Sequence, residues 1–242
     1  MGDSNPGTPG KEEEQKTDEK YNDEGADLVI VSSDNVRFYV QKFFVLAAST
    51  VFRGMIQDCT GTPAEVQLTD DSMEASSVIR LFLDLACGDH FADFDALVYD
   101  DVYELLKLCD KYDCSTSLQT IRLLVSRPLP ASNVNNLYRF FYACALGDTE
   151  TAHRLLPMAA QFNWAFSSTP GPAGSIVGEG CLSLNTMSTD WQDRLPRKYF
   201  QALLRASRLR LSQPQGTWQQ VADDFKEQIK LQEVQPVAEP VA

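Results

Sequence analysis

Apolar side chains along this chain recur first at a spacing of two and then at three to four, and the changes of period mark out short strands and helices. Leu28-Val29-Ile30-Val31-Ser32 is a β-branched run that stops at the turn cluster Ser33-Asp34-Asn35. Val36-Arg37-Phe38-Tyr39-Val40 then alternates, so the two segments predict a β-hairpin. From Lys42 the period is helical. Phe43, Phe44, Leu46 and Ala47 form one apolar face, and Ser49 starts a second short helix through Val51, Phe52, Met55 and Ile56. Beyond Gly61-Thr62-Pro63, the segment Glu65-Val66-Gln67-Leu68 predicts a third strand. Asp70 or Asp71 then caps a helix with Ala75, Val78, Ile79, Phe82 and Leu83 on one face. Residues 89–98 read as an acidic loop containing Phe91 and Phe94. Two further helices carry Val102, Leu105, Leu106, Cys109 and Tyr112, then Leu118, Ile121, Leu124 and Val125, before Pro128 and Pro130 end the run. Three strands this short bury little, so the helices must supply the core of an α+β domain over 26–130.

Past Pro130 the strand pattern vanishes. Ser132 is placed to cap a helix with Leu137, Phe140, Phe141 and Cys144, closed by Gly147. A second helix from about Glu150 to Phe162, kinked at Pro157, completes an αα-hairpin. Residues 165–195, rich in Ser, Thr, Gly and Pro, read as a mobile loop. Pro196 suits the first turn of a helix bearing Phe200, Leu203, Leu204 and Leu209, and Thr217 caps a last one bearing Val221, Phe225, Ile229 and Leu231. The chain therefore divides into a polar tail (1–25), the α+β domain (26–130), an all-helical region (131–231) and a loose end (232–242). Both ends lack the apolar side chains needed to offset the entropy of ordering and are expected to be disordered.

Charge follows the same division. The net charge is -13, with eight acids against three bases in residues 1–26, sixteen against eight in 27–130, and ten of each thereafter. A chain this acidic is a poor fit to phosphate neutralisation on nucleic acid or to an anionic membrane surface. Arg205, Arg208 and Arg210 form the clearest basic cluster, suited to an acidic partner or an internal ion pair. The first twenty-five residues hold no apolar stretch, so the expected location is cytoplasmic or nuclear rather than secreted.

Candidate chemistry changes the picture little. Cys59, Cys87, Cys109, Cys114, Cys144 and Cys181 include no Cys-x-x-Cys pair, so the expectation is reduced thiols and no metal site, with Cys87, Cys109 and Cys144 acting as small core residues. The two histidines, His90 and His153, are far apart, and no Gly-x-Ser-x-Gly elbow occurs. The glycine-rich stretches at 171–180 lack the Gly-Lys-Ser/Thr ending of a phosphate loop, and no acidic cluster has the spacing of a calcium loop. No catalytic residue and no cofactor is expected; a hydrolase using His90 or Cys114 is the rival reading.

The order of the elements, and several segments within them, resemble a BTB (POZ) domain over about 26–127. The segments are Asp27-Leu28-Val29-Ile30, Phe38-Tyr39-Val40-Gln41-Lys42, Leu46-Ala47-Ala48-Ser49-Thr50-Val51-Phe52-Arg53-Gly54-Met55 and Asp110-Lys111-Tyr112. Gln41 stands where the family often has His, and its amide can replace the lost hydrogen-bonding group. The Ser-Ser-Asp turn, the helical half and the Leu203-Leu204-Arg205 helix look most like fungal members of the family. The resemblance implies protein partners: a homodimer or hetero-oligomer, in which Asp27 and Lys42 occupy the positions of a charged pocket at the dimer interface. It also implies, for adaptor members, a cullin scaffold of a ubiquitin ligase, with Met55, Ile56 and Asp58 matching the contact pattern. Some members regulate transcription, but those usually add a DNA-binding module, and zinc-finger spacing is absent. The repeat of a separate substrate-binding propeller is absent too.

Overall fold

The computed structural model describes residues 16–59, 61, 63–89, 91, 93–130, 135–160, 187, 189–211 and 217–234. The chain divides into two compact units, one of residues up to 90 together with Lys107–Ser115, the other of Phe91–Leu106 and the residues from Thr116 on. The first runs β1 (Lys16–Asn22), β2 (Leu28–Val31), β3 (Val36–Val40), α1 (Lys42–Ala48), α2 (Thr50–Gln57), β4 (Ala64–Gln67) and α3 (Ser76–Ala86). The next helix, α4 (Tyr99–Lys111), starts in the second unit and ends in the first.

The predicted hairpin forms. β2 and β3 pair antiparallel with Leu28 opposite Val40 and Val31 opposite Arg37, and Asn35 turns the chain at φ 63°, a left-handed conformation that Asn tolerates. β4 joins β2 in parallel, so β2 lies inside the sheet. All four of its residues are fully buried, as expected for a strand covered on both faces.

The sheet has four strands, in the order β1-β3-β2-β4, rather than three. β1 falls within the segment that composition assigns to a disordered tail. Its anchor is polar: the Asp18 carboxylate, with no exposed surface, accepts from the Lys20 and Tyr21 amides at 2.9 and 3.1 Å and from Arg80 Nε and Nη2 at 2.8 and 2.5 Å. The side-chain turn made by Asp18 interrupts the parallel ladder with β3, where the register shifts between Thr17 and Asn22. Tyr21 is buried and donates its hydroxyl to Asp84 at 2.7 Å, while Lys20 reaches Asp84 and Asp89. Replacing Asp18 by alanine leaves two amides and Arg80 without their acceptor. We expect a loss of about 2–3 kcal/mol in urea unfolding. A change within about 0.5 kcal/mol, the scale of an ordinary surface substitution, would contradict this role.

Two helices of this unit are capped from a distance. Neither Gln41 before α1 nor Ala75 before α3 supplies a side-chain cap. Asp27 accepts from the Lys42 amide at 2.6 Å, and Asp34, in the hairpin turn, accepts from the Ser76 amide at 2.8 Å and from its hydroxyl. Asp34 thus does for α3 what the sequence pattern assigns to Asp70 or Asp71. Burial alone would raise the Asp34 pKa, but the bonds from Ser76 and Ser32 hold it below the usual carboxylate value.

The second unit is helical: most of α5 (Ser115–Ser126), then α6 (Asn135–Ala145), α7 (Thr149–Ala159), α8 (Thr189–Asp193), α9 (Arg197–Leu211) and α10 (Trp218–Val234). α7 packs on both α6 and α10, and α9 packs on α10, around Phe140, Phe141, Leu156, Leu203 and Phe225. The predicted αα-hairpin closes at Gly147, φ 72°. Thr217 and Gln220 form a reciprocal capping box, each amide donating to the other's side chain at 3.0 and 3.4 Å. Ser132 and the end of the helix predicted to reach Phe162 lie outside the described residues.

Residues 91–106 and 116–130 cluster with the helical half, not with the α+β half. The ties are specific: Arg139 grips the Asp95 carboxylate with two bonds of 2.9 and 2.8 Å and donates to the Arg127 carbonyl, while the Tyr142 hydroxyl donates to the Tyr99 carbonyl at 3.2 Å. The end of the supposed 165–195 loop is also ordered, since Met187 and Leu195 are buried and α8 brings Trp191 within 4.9 Å of Tyr99 and 4.7 Å of Phe141. The Arg194 guanidinium lies 5.0 Å from the Tyr99 ring and 5.1 Å from that of Trp191, and pairs with Asp100. Residues 161–186 are outside the described part. α10 continues to Val234, past the predicted end at 231.

Candidate interaction surface

α1 departs in part from the expected facing, with Phe44 and Leu46 half-buried. Phe43, Phe44, Leu46 and Ala47 were the predicted apolar face, yet the only buried residue of α1 is Val45. Phe43 is 59% exposed, with its ring 3.9 Å from that of the half-buried Phe44, and Ala47, one turn on, is exposed as well. On α2 the core face is Phe52 and Ile56, while Val51 is exposed. An amphipathic helix normally turns its apolar stripe inward, and Phe43 departs from that pattern.

Asp27 and Lys42, the charged-pocket candidates, meet at the start of α1. Their side chains approach to 3.6 Å and are 40% and 49% exposed, so the pair itself contributes about 0–1 kcal/mol; the amide bond to Asp27 fixes the helix start. The cullin-type candidates separate. Ile56 is buried within the first unit, Met55 is half-buried and Asp58 is exposed at the end of α2.

The two helices are held by a network that runs through the quoted motif segments. Ser49 accepts from the Phe52 amide at 3.0 Å, capping α2, and its hydroxyl donates to the Tyr112 carbonyl. The Phe52 ring stacks on Tyr112 at 4.3 Å and on Phe82 at 5.6 Å. Arg53 donates back to the Leu46 carbonyl at 2.8 Å, tying α2 to the end of α1. Behind them Glu74, 1% exposed, is a hub. Its carboxylate accepts from the Thr69 and Asp70 amides, both at 2.8 Å, from Lys111 at 2.6 Å and from the Tyr112 hydroxyl at 2.5 Å. Burial works to raise the Glu74 pKa, but the Lys111 and Tyr112 bonds outweigh it and hold the group below its usual value. The Lys111 ammonium is correspondingly held above its usual value, chiefly by Glu74.

Glu74, Asp18 and the Asp95–Arg139 pair were not singled out from the sequence. Each is an ordinary charged residue whose partner lies 37 to 62 positions away, and no local spacing announces such a pair.

His90 lies outside the described residues. His153 bonds Asp223 at 2.9 Å. Cys114 is fully buried, out of reach of a peptide- or ester-sized substrate. A crevice lined by Phe94, Asp95, Tyr138, Arg139 and Tyr142 has room for about one water. Among the described residues, no three His, Cys, Asp or Glu are grouped to hold a metal, and no helix is long and apolar enough to cross a membrane. The five described cysteines are free; Cys87 is half-exposed rather than a core residue, whereas Cys109, Cys114 and Cys144 are buried.

Residues 17–127 match the BTB/POZ domain, and the α+β fold followed by a helical region agrees with that match. The match begins inside β1, so this strand lies within the matched domain. Such domains are in general protein–protein interaction modules and are not typically catalytic. No curated protein and no solved structure matches the chain.

Proposed function

We propose that this chain is a non-catalytic BTB/POZ interaction protein that self-associates through the outward faces of α1 and α2. The observation that carries the reading is Phe43, a large aromatic 59% exposed on a helix whose predicted core face is only half-buried at Phe44 and Leu46, with Ala47 and Val51 also exposed. Burying such side chains against a second copy removes apolar surface from water at about 1.5–3 kcal/mol for each fully covered large residue. The Asp27–Lys42 pair at the start of α1 would lie at the rim of that contact, where charges set register more than affinity. The likeness to fungal members rests on the Ser32-Ser33-Asp34 turn, the helical half and the Leu203-Leu204-Arg205 helix.

The test is a Phe43→Asp, Val51→Asp double variant of the full chain. Light scattering should give a dimer for the parent and a monomer for the variant, with unchanged circular dichroism. A variant that is folded and still dimeric would overturn this interface.

A role as cullin adaptor is the second reading, favoured by Asp58, which is exposed beside the half-buried Met55. Ile56, being buried, would not reach a partner. In a pull-down with a cullin scaffold, recovery by the wild type and loss with Met55→Ala, Asp58→Ala would support it. Equal recovery, or none, would count against it.

A further inference from the structure

Cys109 and Cys114 bracket the C-terminus of α4. Asp113 has φ 50°, the Asp113 amide bonds the Asp110 carbonyl at 3.2 Å, and the Cys114 amide bonds the Cys109 carbonyl at 2.7 Å. These two bonds around a left-handed residue make a Schellman closure, in which the side chains at the first and sixth positions come into contact. Those positions are the two cysteines. With standard bond lengths, the path from one Cα to the other through that 2.7 Å bond spans about 6.9 Å fully extended. Bending at the carbonyl and amide brings it into the range of about 4.4–6.8 Å that disulfides bridge. Both residues have no exposed surface. The Cys114 sulfur also lies 3.7 Å from the Tyr112 carbonyl.

We infer that Cys109 and Cys114 form a reversible dithiol–disulfide site, closed by a hydroperoxide, at the end of α4. The Cys109 thiol lowers the Cys114 pKa, which makes Cys114 the attacking sulfur. Its thiolate attacks the peroxide oxygen, and the O–O bond breaks. An alcohol leaves with the proton that Cys114 released, and Cys114 carries a sulfenic acid. The Cys109 sulfur attacks that sulfenic sulfur, the S–O bond breaks, and hydroxide leaves as water with the Cys109 proton. Two thiols are oxidised by two electrons while one hydroperoxide becomes alcohol and water. Burial restricts the site to small oxidants and keeps larger disulfide reagents out, unlike the half-exposed Cys59 and Cys87. The inference does not rest on self-association.

The test treats the full, reduced chain with hydrogen peroxide, alkylates the remaining thiols under denaturing conditions and digests with trypsin. Cleavage at Lys107, Lys111 and Arg122 separates the two cysteines into different peptides. The expected result is that residues 108–111 and 112–122 are recovered joined, and that dithiothreitol parts them. Recovery of both as separately alkylated peptides, at a dose that has oxidised Cys59, would overturn the proposal. So would sulfinic acid on either one without the link. A Cys109→Ser variant, checked for folding by circular dichroism, should leave Cys114 at the sulfenic or sulfinic stage.

Discussion

Replacing Glu74 by alanine is expected to lower the stability of the chain by about 2–4 kcal/mol, the cost of leaving two amides and a buried tyrosine hydroxyl without their acceptor, while Lys111, 40% exposed, turns to water. The variant strips the acceptor from the Thr69 and Asp70 amides, from Lys111 and from the Tyr112 hydroxyl together. Tyr112 also accepts from Ser49 and stacks on Phe52, so the loss spreads from α4 to the cap of α2. Urea unfolding checks the magnitude, and Glu74→Gln, which keeps the shape and one acceptor, should lose about half as much. The pH dependence has a definite sign. The folded pKa of Glu74 lies below its ordinary 4.5. Its stabilisation is therefore complete at pH values above about 4.5 and fades as pH falls through the lower, folded value. The difference between wild type and Glu74→Gln should be flat from pH 6 to 8 and shrink in acid; a difference that grows in acid would contradict the assignment.

The second large effect belongs to the helical unit. Arg139, 4% exposed, holds Asp95 with two bonds and donates to the Arg127 carbonyl. Arg139→Met should cost about 3–4 kcal/mol, because it leaves the Asp95 carboxylate, 23% exposed, without its counter-charge. Amide exchange across Phe94–Ala96, the short turn next to that carboxylate, should speed up most. An Arg139→Met, Asp95→Leu double variant should recover much of the loss, since an apolar pair avoids the stranded charge. If the double variant is worse than the sum of the two single changes, the pair is not the source of the effect.

Where the determinants were local, the sequence was readable. The run Leu28–Val31, the alternation after Val36 and the Ser49 cap each act within a few residues, and each element stands where its pattern puts it. What escaped was set by contacts distant in sequence. β1 has one buried aromatic and a buried acid three residues apart, so neither strand period nor apolar content marks it. Asp34 caps a helix 42 positions on, a role that no N-cap rule finds. The α1 face was recognised as apolar, but the pattern could not say that Val45 alone would turn inward. That mismatch is also what makes α1 a candidate for function. The Asp27–Lys42 pair was legible as two residues, and the structure gives it a second task, fixing the start of that helix.

Self-association is the centre of this account, and sedimentation equilibrium of the full chain at tens of micromolar tests it most directly. A species of twice the 27.0 kDa chain mass is the predicted result. A single species at 27.0 kDa across the whole concentration range would contradict it.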